Sequence, residues 1–186
     1  MNKIVVEKYN TEWKKEFQTA AMFYTKLLKD IDCEVVHVGS TSVEGLWAKP
    51  ILDIDIIVND SEDCNNVISL LESVGYTHIG NVGIEGREAF KYSENNKNII
   101  WMDHHLYVCL KGNENLKNHL LLQKHLRSNK ESIDKYSKLK IELAKKYPYD
   151  IDSYVDGKTD LITMFLELEG MSSEELNRIE SANKIE

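Results

Sequence analysis

Asp53 and Asp55 are the residues whose type and spacing point most directly to chemistry. They alone interrupt the apolar run Ile51 to Val58. On a strand, residues two apart share one face, so the two carboxylates project side by side. Leu52, Ile54 and Ile56 then face the opposite way into a core. Paired carboxylates repel each other unless a cation lies between them. A hard, oxygen-liganded ion such as magnesium meets that need and keeps open positions for substrate phosphates. Upstream, Val35, Val36 and Val38 predict a strand that ends at Gly39-Ser40, followed by the helix-start residues Thr41 and Ser42. Glycine lets the backbone approach an anion closely, and a helix start offers free amides with a favourable dipole. The Ser40 hydroxyl adds a further donor. The two stretches together predict a site for metal and phosphate.

A second cluster, Asp103-His104-His105, lies in a predicted central strand, Ile99 to Leu110. Alternation places His105 and Tyr107 on the face of Asp103, and His104 with Leu106 on the other. A neutral imidazole suits zinc or manganese better than magnesium, and it also serves as a general base. Which of the three side chains works is left open. Arg87 follows a glycine-rich loop, residues 80–86, that would border the site. It is either a contact to substrate charge or an arginine of a solvent-exposed loop. In the last predicted helix Tyr154 and Lys158 are four apart and share a face. Lys158 either delivers charge to a triphosphate or is an exposed lysine beside a half-buried tyrosine. Nothing in the sequence singles out His119 or Lys124.

The elements that must position these residues follow from periodicity and punctuation. Helices are predicted over residues 11–30, 61–73 (capped by Asn59-Asp60-Ser61 and stopped by Gly75), 115–126, 132–144 and 151–168. Strands are expected at 76–79 and 87–92 besides those already named, with a polar turn over 93–98. Residues 171–186 read as a short helix and a frayed end. The expectation is one domain, with a sheet core at 1–112, a helical extension at 113–170 and a tail at 171–186.

Among 186 residues, 31 Asp and Glu against 23 Lys and Arg leave a net charge of −8, which weighs against a nucleic-acid partner. Cys33, Cys64 and Cys109 have no paired short spacing and read as reduced thiols. No apolar run approaches the roughly 18 residues of a membrane span. Glu7 falls where a signal peptide would need more apolar length. The expected location is the cytoplasm, without a membrane partner; the oligomeric state is left open.

The string His37-Val38-Gly39-Ser40-Thr41-Ser42-Val43-Glu44-Gly45-Leu46, with Ala48-Lys49-Pro50-Ile51-Leu52-Asp53-Ile54-Asp55, resembles the GrpB-like branch of the polymerase-beta-like nucleotidyltransferase superfamily. The resemblance runs from about residue 35 to 160. It implies an α+β (α/β) fold, a mixed sheet flanked by helices with a C-terminal helical segment. It also implies transfer of a nucleoside monophosphate from a nucleoside triphosphate to an acceptor hydroxyl, on a small molecule or a protein. Asp53 and Asp55 would bind magnesium or manganese, with Asp103 as the third carboxylate and zinc if the histidines are ligands. Gly39, Ser40, Thr41, Lys49, Arg87 and Lys158 would hold the nucleotide, while His104 and His105 join the aspartates in catalysis. The family carries a histidine followed three residues later by another; here the pair is His104 and Tyr107. Tyrosine is a poor magnesium ligand, so the alternative is a non-catalytic nucleotide- or metal-binding module or sensor.

Overall fold

A computed structural model describes residues 3–93 and 96–183 of the chain. In chain order the elements are α1 (Glu12–Leu27), β1 (Cys33–Val38), a 3-10 turn (Ser40–Ser42), β2 (Leu52–Val58), α2 (Ser61–Ser73), β3 (Tyr76–Gly80), β4 (Arg87–Tyr92), β5 (His104–Leu110), α3 (Glu114–Ser128), α4 (Lys130–Lys146), α5 (Ile151–Leu168) and α6 (Ser173–Asn183). The strands form one mixed sheet in the order β1-β2-β5-β4-β3. β2 pairs antiparallel with β1 and parallel with β5, and β4 pairs antiparallel with β5. The fold is therefore the mixed sheet flanked by helices that the sequence predicts. Glu94 and Asn95 of the predicted polar turn lie outside the described residues, as do Met1, Asn2 and the last three residues of the predicted tail.

Alternation along β2 decides what each face of the sheet does. Leu52, Ile54 and Ile56 are fully buried and join Leu106 and Val108 of β5 in the main core. α1 and α2 cover that face, contributing Trp13, Ala20, Tyr24, Val67 and Leu71. α2 starts where predicted, because the Asp60 carboxylate accepts from the amides of Glu62 and Asp63. The opposite face carries Asp53 and Asp55, with His105 and Tyr107 beside them on β5. The helices α3, α4 and α5 form a second layer with its own core around Leu126, Tyr136, Leu161 and Phe165. Within this layer His125 stacks on Phe165 at 4.6 Å and hydrogen-bonds both Ser132 and Glu169, bracing the three helices together. Among the described residues no helix is long and apolar enough to cross a membrane.

One strand is shorter than predicted. β5 begins at His104, not Ile99. Its partner β2 begins at Leu52, whose amide reaches only as far as the Asp103 carbonyl. Residues 99–103 instead wrap the sheet end: Trp101 turns into the core, the Met102 amide donates to the Glu16 carboxylate, and Ile100 is left exposed.

Candidate functional site

Val38 pairs with Asp53 across β1 and β2, so the chain leaving β1 must turn directly beside that carboxylate. Gly39 makes the turn with φ 67° and ψ −169°, a conformation restricted to glycine. A Cβ at this position would stand 2.0 Å from Asp53 Oδ2. The glycine is thus required both for its dihedral angles and for the close approach of backbone to carboxylate. The turn is then fixed from several sides. Ser42 Oγ donates to the Gly39 carbonyl, Gln123 Nε2 donates to the His37 carbonyl and to Ser42 Oγ, and Arg127 donates to the Ser42 carbonyl. Thr41 is buried and its hydroxyl donates to the Ile51 carbonyl while meeting His37 Nε2. It ties the turn to the segment entering β2 and does not point outward.

Each aspartate is paired with a histidine. His105 Nδ1 donates to Asp53 Oδ1 at 2.9 Å, the two residues being register partners on β5 and β2. His119 Nδ1, from α3, donates to Asp55 Oδ2 at 2.8 Å. Asp55 is fully buried, and its second oxygen, Oδ1, has no hydrogen-bond partner among the described residues. Burial pushes the Asp53 carboxyl up, but the hydrogen bond and charge of His105, with His119 and Lys49 behind, hold it below its ordinary value. Burial pushes His119 down, and the hydrogen bond and charge of Asp55 outweigh it, so its imidazole titrates above the ordinary value.

Cations line the other side of the turn. Lys140 of α4 is buried, stands 4.3 Å over the Tyr136 ring and donates to Ser40 Oγ at 3.0 Å. The Tyr154 ring of α5 has two ammonium groups near it, Lys158 at 4.7 Å and Lys49 at 5.9 Å from its centre. Burial lowers all three ammonium groups: Lys140 well below its usual range, Lys49 more modestly and Lys158 to about 8. Each of the three feels the Asp53 charge, which opposes the lowering. Arg87 stacks 4.7 Å over Tyr107 on the aspartate face, with its Nε buried and without a hydrogen-bond partner among the described residues.

The predicted residues therefore separate into two groups. Gly39, Ser40, Lys49, Asp53, Asp55, His105, Arg87 and Lys158 border one region. His104 does not. It faces the main core, accepts from Trp101 Nε1, hydrogen-bonds Tyr76 at 2.7 Å and stacks on Tyr92. Strand alternation puts it on the far side of the sheet from His105. Asp103 precedes β5 and accepts from Tyr92 Oη at 3.0 Å, away from the aspartate pair. Register places Tyr107, not an acid, opposite Asp55. Among the described residues no three His, Cys, Asp or Glu side chains are gathered to hold a metal ion. His119 and Lys140 went unforeseen. Each sits on a helix in an ordinary polar context, and only the packing of α3 and α4 onto the turn and β2 gives it a partner.

The family described as GrpB protein matches residues 3–167. This chain belongs to the GrpB family. Among its relatives, UPF0157 protein BH1888 of Halalkalibacterium halodurans is 33% identical over 86% of this chain and 78% of its own length. UPF0157 protein YqkA of Bacillus subtilis is 30% identical over 86% of this chain, which spans 45% of the YqkA length. The crystal structure of the conserved protein GrpB from Enterococcus faecalis superposes with a TM-score of 0.76 at 30% identity, covering 94% of this chain and 98% of that one. The Cid1 poly(U) polymerase, in a structure with MgGTP bound, superposes with a TM-score of 0.53 at 15% identity, over 76% of this chain and 44% of its own. That likeness shows the fold, a nucleotidyltransferase-like one, shared by this GrpB-family chain.

Proposed function

We propose that this GrpB-family protein binds a nucleoside triphosphate with magnesium or manganese and transfers its nucleoside monophosphate to an acceptor hydroxyl. The observation that supports this reading best is the meeting of Gly39-Ser40, the Asp53/Asp55 pair and three lysines, Lys49, Lys140 and Lys158, that form no salt bridge with a carboxylate among the described residues. A cation withdrawn from water without a partner is costly; Lys140 is buried and Lys49 and Lys158 are half-buried, and a polyphosphate is the ligand that answers the three together. The unsatisfied Asp55 Oδ1 asks for a donor or a cation, and Asp53 Oδ2 faces the turn at which the phosphates would lie. On the metal side, Asp53 and Asp55 would be the holding residues. Divalent ions there would neutralise phosphate charge and lower the pKa of the acceptor hydroxyl. The chain's own part is positioning. Gly39 clears space for the anion, Ser40 is oriented by Lys140, and Lys158 and Lys49 stabilise the charge that builds on the leaving pyrophosphate. His105 holds the Asp53 carboxyl ionised, the two imidazoles keep both carboxylates aimed, and they would favour manganese or zinc over magnesium if either imidazole turns to the ion.

A second reading rests on a different observation. Both carboxylates are already engaged by imidazoles and Tyr107 stands opposite Asp55, so the same site fits a nucleotide- or metal-binding module that does not turn over. Pyrophosphate release from the four ribonucleoside triphosphates with magnesium or manganese separates the two. Release in the wild type that vanishes in Asp53→Asn/Asp55→Asn is the outcome expected of a transferase. Metal-dependent binding with no release across acceptor pools supports the module. Absence of any metal-dependent binding defeats both.

A further inference from the structure

Beside the lysine cluster, at the ends of β2 and β5, lies a cleft of about 400 Å³. Its volume lies within the range of small-ligand pockets. The N-terminal segment closes one side. The Ile4 amide donates to the Pro148 carbonyl, and Glu7 pairs with Ala48 through both backbone hydrogen bonds, so the segment is held against the chain entering β2. The walls are apolar and aromatic: Val5, Pro50, Ile51 and the Tyr149 ring, with Val5 and Tyr149 47% and 58% exposed. Lys3, Lys49 and Asp103 are the charged groups that line it.

We propose that this cleft holds the nucleobase of the bound triphosphate and that Asp103 favours bases carrying an exocyclic amine. The proposal rests on the nucleotide reading given above and adds where the base lies and what selects it. Lys49 belongs to both places. It lines the cleft, and its ammonium stands on the Tyr154 ring that Lys158 shares. Lys49 is thus the residue common to the lysine cluster and the cleft, and a ligand with its phosphates on the lysines has its next contact, past Lys49, in the cleft. A planar ring is the complement of an exposed tyrosine facing proline and isoleucine, since every base offers a π-face for stacking. Asp103 accepts from Tyr92 Oη, and an ionised carboxylate has acceptor sites left over and no donor to give. It accepts from the exocyclic amine of adenine, cytosine or guanine, a group that uracil lacks; uracil offers only its N3–H, set between two carbonyls that the carboxylate repels. The acceptor molecule, the other candidate occupant, would attack in line from the side opposite the pyrophosphate that the lysines hold, and so does not call for a cleft beside Lys49.

The test compares dissociation constants of the four ribonucleoside triphosphates and of inorganic tripolyphosphate, with manganese, for the wild type, Tyr149→Ala and Asp103→Asn. Tyr149 and Asp103 are both exposed, so the variants are expected to keep the wild-type melting temperature, which is checked first. The wild type should bind ATP, CTP and GTP more tightly than UTP, and all four more tightly than tripolyphosphate. Tyr149→Ala should weaken the nucleotides by roughly tenfold while leaving tripolyphosphate unchanged. Asp103→Asn should shrink the gap between UTP and the amino-bearing bases. Nucleotides that bind no better than tripolyphosphate, or constants indifferent to both variants, overturn the base pocket and leave the phosphate site standing. Failure of tripolyphosphate and nucleotides alike overturns the nucleotide reading itself and the pocket with it.

Discussion

His119 Nδ1 reaches from α3 to Asp55 Oδ2 at 2.8 Å, and this contact ties the helical layer to the one fully buried carboxylate of the sheet. Removing one member of a buried pair leaves its partner desolvated and uncompensated. His119→Ala is therefore expected to lower unfolding stability by about 3 kcal/mol, read from the shift in urea midpoint. Replacing both partners with apolar residues, Asp55→Val/His119→Leu, should recover part of that loss, because no stranded charge remains. A single variant as stable as the wild type would mean that the contact carries no structural weight.

Gly39→Ala tests the turn. The alanine would need a backbone conformation that costs about 1–3 kcal/mol for any residue with a side chain, and its methyl would overlap Asp53 Oδ2. The turn must shift away from β2, and the site opens. Circular dichroism should show a folded protein of reduced stability, and tripolyphosphate binding should fall by at least tenfold. Wild-type binding in this variant would show that the glycine is not where the anion sits.

Much of this arrangement was legible in the chain because strand alternation is a strict rule. The rule put Asp53 and Asp55 on one face with Leu52, Ile54 and Ile56 behind them, and it put His105 with Tyr107 and His104 with Leu106. It did not say which of those faces met the aspartates; that depended on the register of β5 against β2, set by long-range pairing. The over-long strand at Ile99 had the same origin, since apolar residues that wrap a sheet end look locally like residues within it. His119 and Lys140 were illegible for a different reason. Helical periodicity shows which side of a helix packs, but not which polar residue on its flank will meet a carboxylate or a serine 64 or 100 residues away.

Lys158 gives the site a pH signature with two opposite signs. Burial holds its ammonium near 8, against an ordinary value of 10.5. Between those values the unfolded chain binds the proton and the folded one does not, so stability of the free protein should rise with pH across that window. Phosphate binding needs the charged form and should weaken as pH rises through about 8. Comparing Lys158→Met with the wild type isolates the contribution: the variant should lose affinity below pH 8 and lose the additional pH dependence above it. Parallel curves for the two proteins would remove Lys158 from the phosphate site.

On the far side of the sheet His104 predicts acid sensitivity independent of any ligand. Its Nδ1 accepts from Trp101, so the proton of the neutral ring sits on Nε2, toward Tyr76 and Tyr24. Burial lowers its pKa from 6.5 to about 4. The folded state thus binds fewer protons than the unfolded chain within that interval, and stability present above pH 6.5 drains away as pH falls toward 4. A shift of this size corresponds to about 3 kcal/mol. His37, stacked on Phe17 and likewise lowered to about 4 by burial, acts in the same direction. Urea unfolding of the wild type at pH 7 and pH 4.5 should show the loss. His104→Gln should be less stable at pH 7, through its broken network, yet lose markedly less on acidification. If the variant and the wild type lose the same amount, burial does not hold His104 neutral in the folded protein.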